Sequence, residues 1–147
     1  MDYESLRFWG ILLGIFLCMF LFSKWQEKRV NKRISKLDSI ILKANKTHGT
    51  KFNSEQRIGL LDSLCFDTIN RKLLFISFKG HSLEASTPRI EDFSYIKEWN
   101  LTWDSDISSY PKINFTVNDF KQPLWHLRCN SKAEGDQYMA KLNIILC

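Results

Sequence analysis

The stretch FWGILLGIFLCMFLFS, residues 8–23, decides how the rest of the sequence is interpreted. It carries no charged residue, and with its flanks it gives about 20 residues, or roughly 30 Å of helix. That length matches the hydrocarbon core of a bilayer. Trp9 and Trp25 lie near its two ends, as is typical of residues at a membrane interface. We therefore predict a transmembrane helix over residues 8–23, preceded by a short N-terminal tail, residues 1–7.

A cleaved signal peptide is the alternative interpretation of this stretch. Signal peptides begin with a basic segment and end at a cleavage site made of small residues. Here the chain begins MDYESLR, and the apolar run is followed by Lys24, Trp25 and Gln26. Both flanks favour an uncleaved anchor.

The segment after the apolar run, residues 24–56, is basic. It holds nine Lys or Arg against three acidic residues, whereas residues 57–147 hold eleven of each sign. A Lys or Arg close to an anionic membrane contributes about 1 kcal/mol to binding. We predict a juxtamembrane helix here, ending in a polar linker at residues 45–54. The residues predicted to contact the membrane surface are Lys24, Lys28, Arg29, Lys32, Arg33 and Lys36.

The same charge bias predicts the orientation of the chain. Basic residues are retained on the cytoplasmic side of a transmembrane helix. We expect a single-pass protein of the inner (plasma) membrane with its N-terminus outside and its C-terminal domain in the cytoplasm. The domain itself is neutral, so it lacks the basic face of a nucleic-acid-binding domain, and we expect no nucleic acid partner.

Two sequence patterns favour self-association but lie on opposite sides of the predicted helix. Gly10 and Gly14 form a small-xxx-small pair, which lets two membrane helices approach closely. Residues 30, 34, 37 and 41 form an apolar stripe with heptad-like spacing. At about 100° per residue the glycines lie opposite this stripe. One straight helix cannot place both on a single two-fold interface, so the stripe is better explained by packing against the domain or the membrane surface. A homodimer through the glycines stays open.

The remaining residues, 57–147, alternate between short apolar strands and polar turns. An N-cap at Ser131 with Glu134 three positions later predicts a helix at the end of the chain. The fold class expected is therefore α+β, with antiparallel strands followed by one amphipathic helix. The strand-like runs lie at residues 64–67, 73–78, 81–86, 96–103, 112–118 and 123–129.

This order of elements resembles a pleckstrin-homology-like domain. The residues that carry the resemblance are the opening hairpin at 66–76, the approach to a long strand at 95–99, and the turn at 117–123 before the last strand and helix. In these residues the sequence is similar to uncharacterised bacterial proteins that carry this fold on a membrane anchor. The resemblance implies a barrel of six or seven strands capped by the C-terminal helix. An NTF2-like or pilin-like α+β domain is the alternative.

Catalytic and metal-binding motifs are not apparent in the sequence. His48, His81 and His126 are not at metal-ligand spacing from one another or from a cysteine. Cys65 and Cys129 lie in apolar strand-like runs, where we expect them to be small buried side chains. We expect no cofactor, no metal and no enzymatic activity.

The resemblance implies binding of lipid headgroups, peptides or proteins. Headgroup-binding members use basic residues around the first hairpin loop, and here that loop offers only Arg71 and Lys72. We therefore expect the lipid bilayer as the site of attachment and a protein as the partner of the domain. The alternative is a structural subunit of an envelope or secretion-type complex, with the domain outside the cytoplasm.

Overall fold

The computed structural model describes residues 3–79, 84–103 and 110–147, with side chains from residue 7 onwards. The chain divides into two compact units, Met1–Ser35 and Lys36–Cys147. The helices are α1 (Tyr3–His48) and α2 (Lys132–Leu146), and two 3-10 turns lie at Ser54–Gln56 and Phe93–Tyr95. The strands are β1 (Asp62–Asp67), β2 (Lys72–Ser77), β3 (Arg89–Asp92), β4 (Ile96–Thr102), β5 (Lys112–Val117) and β6 (Leu124–Arg128).

The first unit consists of the N-terminal part of α1. The consecutive residues Met19, Phe20, Leu21 and Phe22 are all exposed, although together they point to every side of the helix. By length and composition, α1 is the one helix among the described residues that could cross a membrane, and none of its most apolar window is buried. The prediction of a long apolar helix near the N-terminus is confirmed.

The last part of α1 belongs to the second unit and has a different character. Leu37, Ile41 and Ala44 recur at spacings of four and three, so they form one face of the helix, and all three are buried. Leu42, on the other side, is 72% exposed. This face packs with the core residues Cys65, Leu74, Ile76 and Phe78. Packing of the apolar stripe against the domain is therefore confirmed for Leu37 and Ile41.

The polar stretch that follows is a structured helix end and differs from the predicted linker. Gly49 has φ +65°, a left-handed conformation that commonly ends an α-helix. The Asn45 side chain accepts hydrogen bonds from the Phe52 amide (2.8 Å) and the Thr50 hydroxyl (3.0 Å), and it donates one to the Phe52 carbonyl (3.0 Å). Phe52 is buried in the same core as α1. The compact unit therefore begins at Lys36, earlier than the predicted boundary at residue 57.

In the described part of the chain two antiparallel sheets follow, each of three strands. Strands β1, β2 and β3 pair in sequence order, as do β4, β5 and β6. The first hairpin pairs Phe66 with Leu73 and Leu64 with Phe75. The predicted hairpin, the long strand β4 after a helical turn, and strands β5 and β6 are all confirmed. Within the described residues the strand pairings do not close into a ring, and the closed barrel stays a prediction.

Strands β1 and β2 form the middle layer of the domain because both of their faces are buried. Successive side chains of a strand point to opposite faces. Leu64, Phe66, Leu73 and Phe75 face a core shared with β5, β6 and α2. The alternate residues, such as Cys65 and Leu74, face the core shared with α1. The last turns of α1 and the second sheet with α2 therefore cover opposite faces of the first sheet.

The edge of the first sheet was predicted only in part. Arg89–Asp92, where no strand was predicted, pairs with β2 at this edge. Of the strand predicted at 81–86, residues 81–83 lie outside the described part, and Ala85 forms an isolated antiparallel bridge with Phe78. On α2 the buried face is centred on Gly135 and Leu142, whereas Ile144 is 82% exposed. The position of Ile144 on the helix points away from the second sheet.

Candidate interaction surfaces

Five of the predicted membrane-contact residues lie in the first unit, on α1. At 100° per residue, Lys24, Lys28, Arg29, Lys32 and Arg33 occupy one half of the helix circumference. The Arg29 guanidinium lies over the ring of Trp25, 4.5 Å from its centroid, and Lys24 forms an ion pair with Glu27 at 3.1 Å. The result is a basic half-face on which the three lysines are exposed and the two arginines are partly exposed. The sixth residue, Lys36, is exposed in the second unit.

Gly10 and Gly14 leave one side of the same helix open. A Cβ atom added at either position would meet no atom within 4 Å. Since side chains at i and i+4 lie one above the other, the two glycines form a shallow groove on the helix surface. They are accessible for helix–helix packing, which the single chain neither makes nor excludes.

The first hairpin loop is held by a buried carboxylate. Asp67, at the end of β1, accepts hydrogen bonds from the backbone amides of Ile69 (3.1 Å), Asn70 (3.0 Å) and Lys51 (2.6 Å), and from the Asn70 side chain (2.7 Å). Burial raises the pKa of this carboxyl, but the hydrogen bonds outweigh burial and hold its pKa below the ordinary value. Asp67 thus joins the loop to the segment that follows α1.

The two basic residues of this loop have structural contacts of their own. Lys72 forms an ion pair with Asp92 at 2.7 Å. The Arg71 guanidinium lies 5.3 Å from the ring centroid of Phe93, and Arg71 has φ +53°. The loop therefore does not present a concentrated basic cluster to a phosphorylated headgroup.

An ionic network connects the first sheet with the turn between β5 and β6. The Arg89 guanidinium contacts Glu91 (3.1 Å), the Tyr95 hydroxyl (2.8 Å) and Asp119 (3.3 Å). Asp119 also accepts hydrogen bonds from the backbone amides at 121 and 122, and these bonds, with those from Tyr95 and Arg89, lower its pKa. The adjacent Phe120 is fully exposed. The network fixes the conformation of this turn.

An open groove of about 760 Å³ runs beside the last turns of α1 in the second unit. One side is the helix and the other is the segment that leads into β3. Ile40, Ala85 and Ile90 line it; they are partly buried and pack against the core beneath. Three exposed lysines also line it: Lys36, Lys43 and Lys79. It is the largest of the described cavities in this domain that combines an apolar lining with charge.

The histidines and cysteines do not form a reactive site in the described residues. His126 is exposed and hydrogen-bonds Asn114 at 2.7 Å, and His48 is also exposed. His81 lies outside the described part. Across residues 3–79, 84–103 and 110–147, no group of three His, Cys, Asp or Glu is arranged to hold a metal ion.

Cys65 and Cys129 are buried and free, as predicted. Burial raises the pKa of the Cys65 thiol to about 12, and the nearby Arg57 only partly opposes this effect. Burial raises the pKa of the Cys129 thiol to about 11, and Glu134 adds to the shift. Both thiols therefore remain protonated near neutral pH and are inert as nucleophiles.

A scan against protein-family models, a search of curated proteins and a search of solved structures each found no match to this chain. The function must therefore be inferred from the two units themselves.

Proposed function

We propose that this chain is a single-pass membrane protein that presents a small α+β domain, from Lys36 to Cys147, to a protein partner at the membrane surface. The observation that carries the proposal is the exposure of large apolar side chains on all sides of α1 between Ile11 and Phe22. In water so large a contiguous apolar surface favours aggregation. A bilayer removes that surface from water, and the helix satisfies its own backbone hydrogen bonds there.

The basic half-face of α1 supports a cytoplasmic location of the domain at the plasma membrane. Lys24 to Arg33 directly follow the apolar run, and only Arg7 precedes it. Basic residues close to a span resist translocation and are attracted to anionic lipids of the inner leaflet. The N-terminus is then outside.

The order of elements supports a pleckstrin-homology-like domain. Two antiparallel three-stranded sheets share a core, and the C-terminal helix contributes Leu142 to it. In the proposed fold the helix covers one open end of a strongly bent sheet. Covering that end protects strand edges that would otherwise pair with other chains.

A binding role is favoured over a catalytic one. Asp67 and Asp119 are the carboxylates with a lowered pKa. Each accepts hydrogen bonds from neighbouring groups of the protein, and these bonds are explained by the turns that they stabilise. A protein partner is favoured over a phosphoinositide because Lys72 is paired with Asp92 and the first loop has no other basic cluster.

Paired reporter fusions at Cys147 test the proposal. Alkaline phosphatase is active only outside the cytoplasm, and a fluorescent protein exported unfolded is dark. The proposal predicts a membrane-bound, fluorescent fusion without phosphatase activity. A soluble fusion would exclude the anchor. Phosphatase activity without fluorescence would place the domain outside and favour a structural subunit of an envelope complex.

A further inference from the structure

The groove beside the last turns of α1 has an apolar lining that continues the core. Ile40 and Ala44 contribute from the helix, and Ala85 and Ile90 contribute from the opposite side. Ile40, Ala85 and Ile90 are only partly buried, although they pack against the fully buried Leu74 and Ile76. Among the described residues the core is therefore incompletely covered here, and one apolar side chain of another molecule would complete it.

The charges around the groove are strongly biased to one sign. Lys36, Lys43 and Lys79 line it, and among its described lining residues Glu84 is the only acid. The other polar residues that line it are Ser39, Thr47, His48, Ser86 and Thr87. An occupant with carboxylates is complementary to this surface, and a basic occupant is repelled by it.

The spacing of the lysines selects between two anionic occupants. Lys36 and Lys43 are seven residues apart on one helix, which is about 10 Å along its axis. This spacing is wider than a single phosphate group, so one phosphate matches the two positions less well than carboxylates spread along a chain do. An acidic peptide segment can contact both, because its carboxylates are distributed along the chain with apolar side chains between them.

We propose that this groove binds an acidic amphipathic segment of the protein partner, with an apolar side chain against Ile40 and Ile90 and carboxylates beside Lys36, Lys43 and Lys79. This deepens the proposed function and rests on it, since it identifies the surface and chemistry of the partner contact.

The test uses the full-length protein in phosphatidylcholine nanodiscs and fluorescein-labelled 12-residue peptides. One peptide repeats Leu-Glu-Glu; the others have Lys or Gln in place of Glu. Fluorescence anisotropy should show saturable binding of the Glu peptide, binding at least about tenfold weaker for the Gln peptide, and none for the Lys peptide.

Charge reversal supplies the decisive variant. Lys43→Glu with Lys79→Glu should weaken binding of the Glu peptide at least about tenfold and create binding of the Lys peptide. Lys112→Glu with Lys141→Glu changes the net charge equally at exposed positions outside the groove and should leave binding unchanged. Thr87→Trp, which narrows the groove without changing charge, should also weaken binding.

Three results would overturn the proposal. The first is an equal loss of binding in the control variant Lys112→Glu with Lys141→Glu. The second is equal binding of the Glu and Gln peptides. The third is displacement of the Glu peptide by dihexanoyl-phosphatidylserine that depends on Lys43 and Lys79, which would make the groove a lipid site. Thermal unfolding by circular dichroism shows that each variant is folded. If the Cys147 fusions confirm a cytoplasmic domain while the peptides fail, the groove assignment alone is wrong.

Discussion

Two parts of α1, residues 11–22 and 36–48, differ in how their apolar side chains are distributed around the helix. Between Ile11 and Phe22 apolar side chains cover the whole circumference and are exposed. Between Lys36 and His48 they cover one face, which is buried against the first sheet, while Leu42 on the other face is exposed. An all-round apolar surface suits a solvent that is apolar in every direction, whereas a one-sided surface suits a helix with protein on one side and water on the other. The pattern of exposure thus distinguishes the proposed anchor from a core element within a single helix.

The largest expected effect comes from placing charges in the first part of α1. Leu13→Arg with Phe16→Arg puts two guanidinium groups near the centre of the span. Each costs about 3 kcal/mol on the insertion scale, so the pair costs about 6 kcal/mol. We expect the variant to be released from membranes by alkaline carbonate, which extracts peripheral proteins.

The matched control places the same charges on the second unit. Leu42 and Ile144 are both largely exposed there, so Leu42→Arg with Ile144→Arg should remain in the membrane pellet like the parent chain. Release of the control variant as well would show that general misfolding, not loss of the anchor, explains the extraction.

The second prediction concerns the buried face of α1. Leu37 is fully buried, so Leu37→Ala should lower the free energy of unfolding of the domain by about 2–5 kcal/mol through lost burial and a residual cavity. Leu42→Ala, one turn away and exposed, should change it by less than about 0.5 kcal/mol. Urea denaturation in detergent, followed by circular dichroism, measures both; equal effects would contradict the assignment of Lys36–His48 to the domain core.

A pH dependence is expected from Asp67. Its pKa in the folded domain lies below the ordinary value of about 3.9, so its contribution to stability is complete above about pH 5 and is lost as the pH falls through the folded-state pKa. Asp67→Asn should be destabilised by about 2–4 kcal/mol at pH 7, because hydrogen bonds to a charged group are lost. The difference from the parent should shrink below pH 4 in denaturation curves; a difference independent of pH would contradict an ionised Asp67.

The smallest effect is expected at the network around Arg89. Arg89→Lys keeps the charge, but its shorter side chain does not bring the ammonium to the position from which one guanidinium nitrogen contacts Glu91, Tyr95 and Asp119. Because the arginine is about half exposed, the loss should be under about 1 kcal/mol and should diminish in 1 M salt. An effect as large as that of Leu37→Ala would mean that the network, and not the apolar core, holds the turn at residues 118–122.

Much of the fold could be predicted from local sequence patterns. Alternation at Ile113, Phe115 and Val117 gave strand β5, and the Ser131–Glu134 pair gave the start of α2. Strand β3 was missed because Arg-Ile-Glu-Asp has one apolar residue and pairs only on one side. The role of residues 45–52 was missed because polar residues there make internal hydrogen bonds, which composition does not distinguish from a solvated linker.

Of the candidate surfaces, one could be predicted from the sequence and one could not. The basic half-face of α1 follows from the sequence because its residues are neighbours on one helix. The groove could not be predicted, since Lys43 and Lys79 are 36 positions apart and only the packing of α1 on the first sheet brings their segments together. The role of Asp67 could have been predicted from one local pattern. An Asp followed three positions later by Asn70 in a hairpin loop is typical of turns stabilised by side-chain hydrogen bonds.

Cysteine accessibility along α1 tests the central contrast most directly. Single cysteines from residue 11 to residue 48, in a chain with the native cysteines replaced, are exposed to a membrane-impermeant maleimide in inverted membrane vesicles. We predict a continuous block without labelling at residues 11–22 and, at residues 36–48, a helical pattern in which position 42 is labelled and positions 37 and 41 are protected. Labelling with helical periodicity across residues 11–22 would mean that this part of α1 faces water on one side, and it would contradict the membrane anchor.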